Sequence, residues 1–497
     1  MDPNSTSSDG GHKAKSITNY NAVARHYTGL NRYIIILLYC IPISVASSIY
    51  FNWSSVSRLL IRAGIYEWHC SSADIAEKSA HKIKCEVQRL KISHLLVLTR
   101  SCDMAVSVLT GSLVDKFSQR YVMLAGNIFL ILGWLALAFN GQDDRLVLFA
   151  FCCIGLCASC VFMSALNVIS LFSDSSGLAI CFVVSVADDI STNIPLILNG
   201  MFTLFGPDGF ERVCIFYIFF SVVPTMIIGL TAMPVKSWTT CIKEYERTIK
   251  PALEMNDSTL SISEETNNAP EDMKEYTAES PKRKNLKASI QDLSQSAILY
   301  LATPRFVIIL ICFIITNFSN IFMSNLFLKY YDDDEDVEFM SEILLSAQFI
   351  PGLILGHLFD RFSASKVNYS LNVLSILAFV LLYVHNTTTG YMFCFLQAIL
   401  ICVDFSTLMV YINLLFPAEH MTTITGFTLF FDGFVSLMLS YADDAMLEAT
   451  TDIPIFISFG LLLVRLLLFI YLHHMINEEE LTGRCVSDQG NCEVALA

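Results

Sequence analysis

Charge is what this chain of 497 residues has least of. Lys, Arg, Asp and Glu make up 15% of it, against about 25% in a soluble domain. That shortfall excludes an ordinary water-soluble core of this size. Several other things are missing. There is no basic excess: the formal net charge is -15, spread over loops and tails, which argues against a nucleic acid partner. No cleavable signal peptide is visible, because residues 1–31 are polar and a long apolar span follows directly. No nucleotide loop, metal-ligand cluster or nucleophile motif occurs. No cofactor or metal is therefore expected, and the chain is not read as an enzyme. The Gly-x-Gly-Asp context of an intramembrane aspartyl protease is absent too. What fills the space is apolar: 54% of residues are hydrophobic and the mean hydropathy is +0.55. The chain reads as a polytopic membrane protein. Most of the cysteines lie inside its apolar segments, where they act as small hydrophobes.

Twelve apolar stretches are long enough to cross about 30 Å of hydrocarbon. Six lie at 32–53, 93–114, 121–139, 146–172, 177–205 and 213–233. Six more lie at 305–328, 340–358, 369–385, 391–416, 424–441 and 453–474. The expected fold class is all-α and membrane-embedded, with two bundles of six helices, 32–233 and 305–474. Residues 1–31 are expected to be disordered, and the tail 475–497 is acidic and polar. Residues 234–304 are rich in Ser, Thr, Asn, Glu and Lys and read as a linker. Their basic run 281–287 reads as solvated charge near the membrane. Within the outer loop 54–92, the piece from Val56 to Trp68 is amphipathic and Cys70 and Cys85 follow. Outside the cytosol these two would form a disulfide worth roughly 3 kcal/mol. The alternative is a pair of free thiols.

Loop charge sets the orientation. Lys13, Lys15, Arg25, Lys116, Arg120, Arg361 and Lys366 fall on one side with the linker. Asp143, Asp144, the run Asp332 to Asp336, Asp443 and Asp444 fall on the other. The positive-inside rule puts both termini and the linker in the cytosol. The plasma membrane is the expected location and a monomer the expected unit. Lys78, Lys82, Lys84, Arg89 and Lys91 in the outer loop run against the rule.

The two halves echo each other. Gly111-Ser112-Leu113-Val114-Asp115-Lys116-Phe117 and Gly356-His357-Leu358-Phe359-Asp360-Arg361-Phe362 occupy matching places, each between two apolar spans. Asn167 and Asn413 each precede an apolar pair or triplet ending in Phe, and then a polar turn. Each turn leads to a span with a mid-depth acid: Asp188 or Asp189 in one half, Asp432 in the other. Six plus six with internal pseudo-symmetry is the architecture of transporters with a midplane site. The repeated loop resembles the motif of the major facilitator superfamily, found there between the second and third helices of each half.

Four further stretches resemble the large-neutral-amino-acid facilitators of solute carrier family 43. They are Ile49-Tyr50-Phe51-Asn52-Trp53, the Cys-bearing outer loop, Ala187-Asp188-Asp189, and Phe416-Pro417-Ala418-Glu419-His420 with Gly426 after it. A related apicomplexan amino acid transporter family is also similar. Asn52 stands where the family has Gly, Arg100 where a small polar residue is expected, and the turn Ser173-Asp174-Ser175-Ser176 lacks basic residues. The resemblance implies sodium-independent passage of amino acids, by facilitated diffusion or exchange. In one branch it implies purine nucleobases instead. It also implies two bundles rocking around a cavity, lined by spans one, two, four and five and their counterparts. Spans three, six, nine and twelve would face lipid. A non-transporting membrane scaffold or nutrient sensor is the competing reading.

Ionisable groups inside a membrane are costly and usually face a cavity or a partner. Here they are Arg100, Asp103, Asp188, Asp189, Asp404, Asp432 and Arg465. Arg100, Asp103, Asp188, Asp404, Asp432, Asn52, Asn167 and Asn413 form the expected substrate set, with an amino acid as the small-molecule ligand. Arg100 and Asp103 sit one turn apart, so they could neutralise each other or serve a substrate carboxylate. Asp188 and Asp189 cannot point the same way on a helix, and Asp188 is taken as the cavity-facing one. Asp432 could instead bond helix backbones, and Arg465 could snorkel or pair within the bundle. Asn317, Asn320 and Asn325 read as packing glue, and Gly352 with Gly356 as a close helix contact. Gly111, Asp115, Lys116, Arg120, Gly356, Asp360 and Arg361 are expected to hold the cytosolic gate.

Overall fold

A computed structural model describes residues 19–70, 85–173, 175–206, 209–249, 300–331, 335–384, 386–448 and 453–475. The basic run 281–287, Asp174, Asp332 to Asp334 and the tail beyond Met475 lie outside them. So do Lys78, Lys82 and Lys84. Among the described residues all regular structure is helical. Hydrocarbon offers no hydrogen-bond partner, so each crossing segment must satisfy its own backbone, and a helix does so.

Among the described residues ten helices are long and apolar enough to cross a membrane, or up to eleven if Tyr20–Thr28 and Arg32–Ala46 are one bent span. Two of the expected spans are broken. The first span is Arg32–Ala46, entered from a short helix Tyr20–Thr28 at a bend of 63°. The eighth is assembled from Glu335–Ser346 and Phe349–Arg361. The second to seventh spans are Glu86–Lys116, Gln119–Ala138, Asp144–Leu171, Ser176–Phe205, Phe210–Ala232 and Pro304–Tyr330. The ninth to twelfth are Ala364–Val384, Thr387–Leu415, Met421–Glu448 and Ile453–Met475. The third, sixth, ninth and twelfth spans turn large apolar side chains outward: Tyr121, Phe220, Val373 and Leu467 are each more than 60% exposed. In water that would be a liability; against lipid it is the expected surface.

The two halves pack most closely where the second span meets the eleventh and the fifth meets the eighth, and the fifth also meets the tenth, where Ser185 Oγ donates to the Cys402 carbonyl at 2.6 Å. Glycine makes the first two contacts possible. A Cβ on Gly111 would overlap the Thr422 carbonyl, and one on Gly426 the Ser107 carbonyl. A Cβ on Gly352 would sit 2.8 Å from Ser185 Cβ, and one on Gly356 2.9 Å from Leu178 Cα. Backbone atoms cannot swing aside, so only glycine fits at Gly111 and Gly426.

Several boundaries differ from the sequence reading. The apolar stretch 32–53 is not one helix. It ends at Ala46, passes through a short turn Ile49–Phe51, and restarts as Trp53–Arg62 because the Asn52 side chain accepts from Ser55 N. Pro42 inside the helix weakens it just before the break. Residues 19–31 are not disordered. Asn19 caps the helix Tyr20–Thr28, Gly29 ends it at φ 74°, and Val23 and Ala24 are fully buried. The linker's first part is likewise packed, as the helix Trp238–Glu244 with Trp238 buried. The second span has 31 residues, about 46 Å at 1.5 Å per residue. It therefore rises past the hydrocarbon and carries Arg89 and Lys91 with it. Lys91 pairs with Asp144 at 2.7 Å, which accounts for one of the basic residues that ran against the charge rule.

Candidate functional site between the two halves

The broken first span builds one wall of the site. Where its helix stops, Ser48 is freed to bond elsewhere. Its N–H donates to Ser191 Oγ at 2.9 Å and its hydroxyl to Asp188 Oδ1 at 2.6 Å. Two residues on, the Tyr50 hydroxyl donates to Asp103 Oδ2. A discontinuous helix beside buried polar groups is how membrane transporters expose backbone to a ligand.

The fifth span is also irregular. A π-helical turn, Phe182–Ala187, runs directly into Asp188. The extra residue in that turn rotates the acids relative to the helix before it, a common device at functional positions. Asp188 turns to the first span. Asp189 turns to the eighth, accepting from Gln348 Nε2 at 2.9 Å, with its other oxygen buried and without a partner. The two acids diverge, as adjacent helical positions must.

The opposite wall comes from the seventh, tenth and eleventh spans. Asn317 Nδ2 donates to Asp432 Oδ2 at 2.5 Å, and Asn320 Nδ2 donates to Asp404 Oδ2. Asp432 is 1% exposed, and its Oδ1 is buried without a partner. Arg100, on the second span, lies within electrostatic range of Asp432, Asp103 and Tyr50. It makes no salt bridge among the described residues, and its Nε is buried without a hydrogen bond. Arg100 in one half and Asp432 in the other are thus opposite charges, each with an unused hydrogen-bonding atom. On the tenth span the Phe405 ring lies 5.4 Å from Phe162 of the other half and 6.0 Å from Phe313, so aromatic rings as well as polar groups meet between the halves.

A second cluster closes one end of the bundle. Asp115 accepts from Thr422 Oγ1 at 2.5 Å, and from Thr423 N and Thr423 Oγ1 at 2.8 Å each. These donors open the eleventh helix. Asp360 accepts from Gly177 N at 2.8 Å and Leu178 N at 3.0 Å, which open the fifth helix. Each half thus reaches over with one carboxylate to the exposed N–H groups and positive dipole end of a helix in the other. Lys243, on the helix after the sixth span, pairs with Glu419 at the same end.

The expected substrate residues do not all meet. Arg100 lies within electrostatic range of Asp103 and Asp432, and Asp103 of Asp188, whereas Asp404 lines a cavity inside the C-terminal half with Arg465. Asn52 lies near, but caps a helix and donates to the Thr192 carbonyl at 3.0 Å. Asn167 is elsewhere: its Oδ1 accepts from Trp238 N at 2.7 Å at the gate end, so it anchors a helix and has no ligand-facing acceptor left. Asn413 lies two residues before the end of the tenth helix, also away from the site. Of the gate set, Arg120 bonds the Met233 carbonyl at 2.7 Å within its own half, and Arg361 stacks on Phe362. Arg465 does not snorkel. It is buried and donates to Asn372, Thr316 and Ser375. Asn317 and Asn320 do more than pack helices, since each holds an acid of the site; the Asn325 side chain lies outside the description. Ser48, Tyr50 and Gln348 were not singled out from the sequence. The signal was present in Ser47-Ser48, a polar pair inside an apolar span.

Buried charges between two pseudo-symmetric helical bundles, with a reciprocal pair of carboxylate caps at one end, mark an integral multi-pass membrane transporter. The sequence profile of the Major Facilitator Superfamily matches residues 93–440, and the chain belongs to that superfamily. It is 25% identical over 450 residues to Arginine transporter 1 of Toxoplasma gondii, covering 82% of each chain. It is 24% identical over 427 residues to Cationic amino acid transporter 8 of Plasmodium berghei, covering 83% of each. It is 23% identical to Aromatic and large neutral amino acid transporter 5-3 of Toxoplasma gondii, covering 91% of this chain and 86% of that one. Among solved structures it is similar in fold to a proton:xylose symporter of the superfamily, with TM-score 0.60 and 9% identity over 94% of this chain and 99% of the other.

Proposed function

We propose that this protein moves amino acids with neutral or cationic side chains across a membrane by alternating access, without sodium. The observation that carries this reading is that Arg100 and Asp432, from the two halves, lie within electrostatic range, with Arg100 Nε and Asp432 Oδ1 each buried and without a hydrogen bond. A free amino acid is a zwitterion. Its carboxylate suits Arg100 and its ammonium suits Asp432, and binding both would draw the two halves together. Asp103 and Asp188 leave the neighbourhood net acidic. They favour a cationic or neutral side chain and repel a carboxylate, strongly so in a partly dry site. The amino acid transporters named above, cationic and aromatic, fit that selectivity. In this reading the Asp115 and Asp360 end faces the cytosol, together with both termini, and the protein acts as a monomer in the plasma membrane.

Counterflow in proteoliposomes tests it. Vesicles loaded with unlabelled arginine or leucine should accumulate the labelled compound, and glutamate or aspartate should not compete. Arg100→Ala should abolish exchange, and Asp188→Asn should weaken it. Equal competition by glutamate, or exchange of purines alone, overturns the reading. Absence of any flux would favour a sensor or scaffold.

A further inference from the structure

Behind the tenth span, inside the C-terminal half, lies a second polar system that the substrate reading does not use. Arg465 is only 4% exposed. Its three nitrogens donate to neutral oxygens: Nε to Asn372 Oδ1 at 2.7 Å, one terminal nitrogen to Thr316 Oγ1 at 2.8 Å, the other to Ser375 Oγ at 3.0 Å. The acid within its electrostatic range is Asp404, yet the two make no direct salt bridge among the described residues. Both line one small cavity, with Thr316, Asn368, Thr407 and Tyr411 on its polar part and apolar side chains such as Phe313 and Leu408 on the rest. The polar part of its lining offers the hydrogen-bond partners that a water needs.

The cavity leads towards the gate end. Asn372 donates to the Asn368 carbonyl at 2.8 Å, and Asn368 Nδ2 donates to the Tyr411 hydroxyl at 3.3 Å. Tyr411 lines the cavity and also contacts His473 Nε2 at 2.6 Å. His473 Nδ1 contacts the Tyr369 hydroxyl at 2.9 Å, two residues from the end of the twelfth helix. Imidazole and phenol can each take up a proton on one side and release one on the other. His473 and Tyr411 thus link the end of the twelfth helix to the cavity that Asp404 also lines.

Asp404 is tied to the substrate site. Asn320, which holds Asp404, is one helical turn from Asn317, which holds Asp432. The seventh span carries both asparagines on the same face.

We propose that Asp404, which lines this cavity with Arg465, is a proton site loaded through His473 and Tyr411, and that its occupancy is coupled to substrate binding at Asp432 through one turn of the seventh helix. The coupling rests on the transport reading above; the proton site does not. The step is a simple transfer. A proton from bulk water enters the His473–Tyr411 relay, passes to a cavity water and ends on a carboxylate oxygen of Asp404. Each relay group returns to its starting state. The local charge goes from balanced with Arg465 to net positive. The attraction to Arg465 is lost and Asn320 loses an ionised acceptor, so the turn that also holds Asp432 relaxes. Other ionisable groups around the tenth helix are Cys312 and Arg465 behind it, Asp432 on the eleventh span, and Asp189, which faces Cys402 from the fifth.

Two measurements on the full-length protein in lipid test this. Infrared difference spectroscopy during a pH change, without substrate, should show a protonated-carboxyl band that disappears in Asp404→Asn. The same band undiminished in that variant overturns the proton site, whatever the protein transports. In proteoliposomes with an imposed pH gradient, wild type should take up arginine against its concentration gradient while an internal pH dye reports proton entry. Asp404→Asn should lose both. His473→Phe should slow proton entry without abolishing counterflow. Gradient-driven uptake that survives Asp404→Asn overturns the coupling. If no amino acid is carried at all, the transport reading fails and the infrared result alone decides the proton site.

Discussion

The carboxylate of Asp115 accepts a hydrogen bond from the Thr423 backbone N–H at 2.8 Å, across the boundary between the two halves of the molecule. Asp360 does the same in the reverse direction, from the C-terminal half to Gly177 N at 2.8 Å. Both acids come from the repeated Gly-to-Phe loop. The pseudo-symmetry of the chain is thus written as two reciprocal helix caps.

Those caps predict a gate phenotype. Asn keeps the shape and one acceptor but loses the charge, and each hydrogen bond to a charged group is worth about 1.5–3 kcal/mol. Asp115→Asn and Asp360→Asn should each slow transport while leaving protein abundance largely intact. Cys181, buried behind Asp360 and next to Gly356, should become reactive to maleimide from the gate side in Asp360→Asn. Wild-type rates and an unreactive Cys181 in both variants would exclude a gating role.

The same boundary depends on two missing side chains. Gly111→Val and Gly426→Val would each drive a Cβ into a backbone carbonyl of the facing helix, Thr422 or Ser107. The second and eleventh spans should then fail to close, and transport should be lost. Gly200 is the control, since a Cβ there meets nothing within 4 Å. Gly200→Ala should transport normally and gain up to about 1 kcal/mol of stability from helix propensity. Normal flux in Gly426→Val would refute the close-contact account.

At the opposite end Cys70 and Cys85 are bonded, with Cα atoms 5.9 Å apart. Nearby, Trp68 Nε1 donates to Asp144 Oδ1 at 3.0 Å, which ties the outer segment to the fourth span. Breaking the bond should cost about 3 kcal/mol, the chain-entropy value for a loop of this size. Cys70→Ser should lower the melting temperature of purified protein. An impermeant thiol reagent on intact cells should label neither cysteine until reductant is added. Labelling without reductant would contradict the assignment.

Asn167 gives a structural prediction in place of a binding one. Its Oδ1 caps Trp238 N, and the Trp238 indole donates to Tyr39 Oη at 2.9 Å. Asn167→Ala leaves a buried N–H unsatisfied, a loss of about 1–3 kcal/mol. Melting temperature should fall while the KM of the remaining active protein stays unchanged. A raised KM with unchanged stability would return Asn167 to the substrate set.

The class and the internal repeat were legible along the chain. These follow from long apolar runs and from local spacing, which hydrocarbon enforces segment by segment. The sequence also marked most of the buried ions, because a charge inside an apolar run is costly wherever the chain goes. What it could not determine was which of those groups meet. Asn167 and Asn413 look alike along the chain as Asp115 and Asp360 do, yet the asparagines lie away from the midplane site while both aspartates reach across to the other half. Arg100 and Asp432 are 332 positions apart in number yet within electrostatic range of each other. The break of the first span at Ser47-Ser48 is likewise a tertiary decision. An apolar run with one proline would otherwise continue as helix, and it stops because the fifth span supplies Ser191 and Asp188 to bond the residues set free. Local chemistry chose the helices; partners hundreds of residues away decided where those helices open and which charges they leave unpaired.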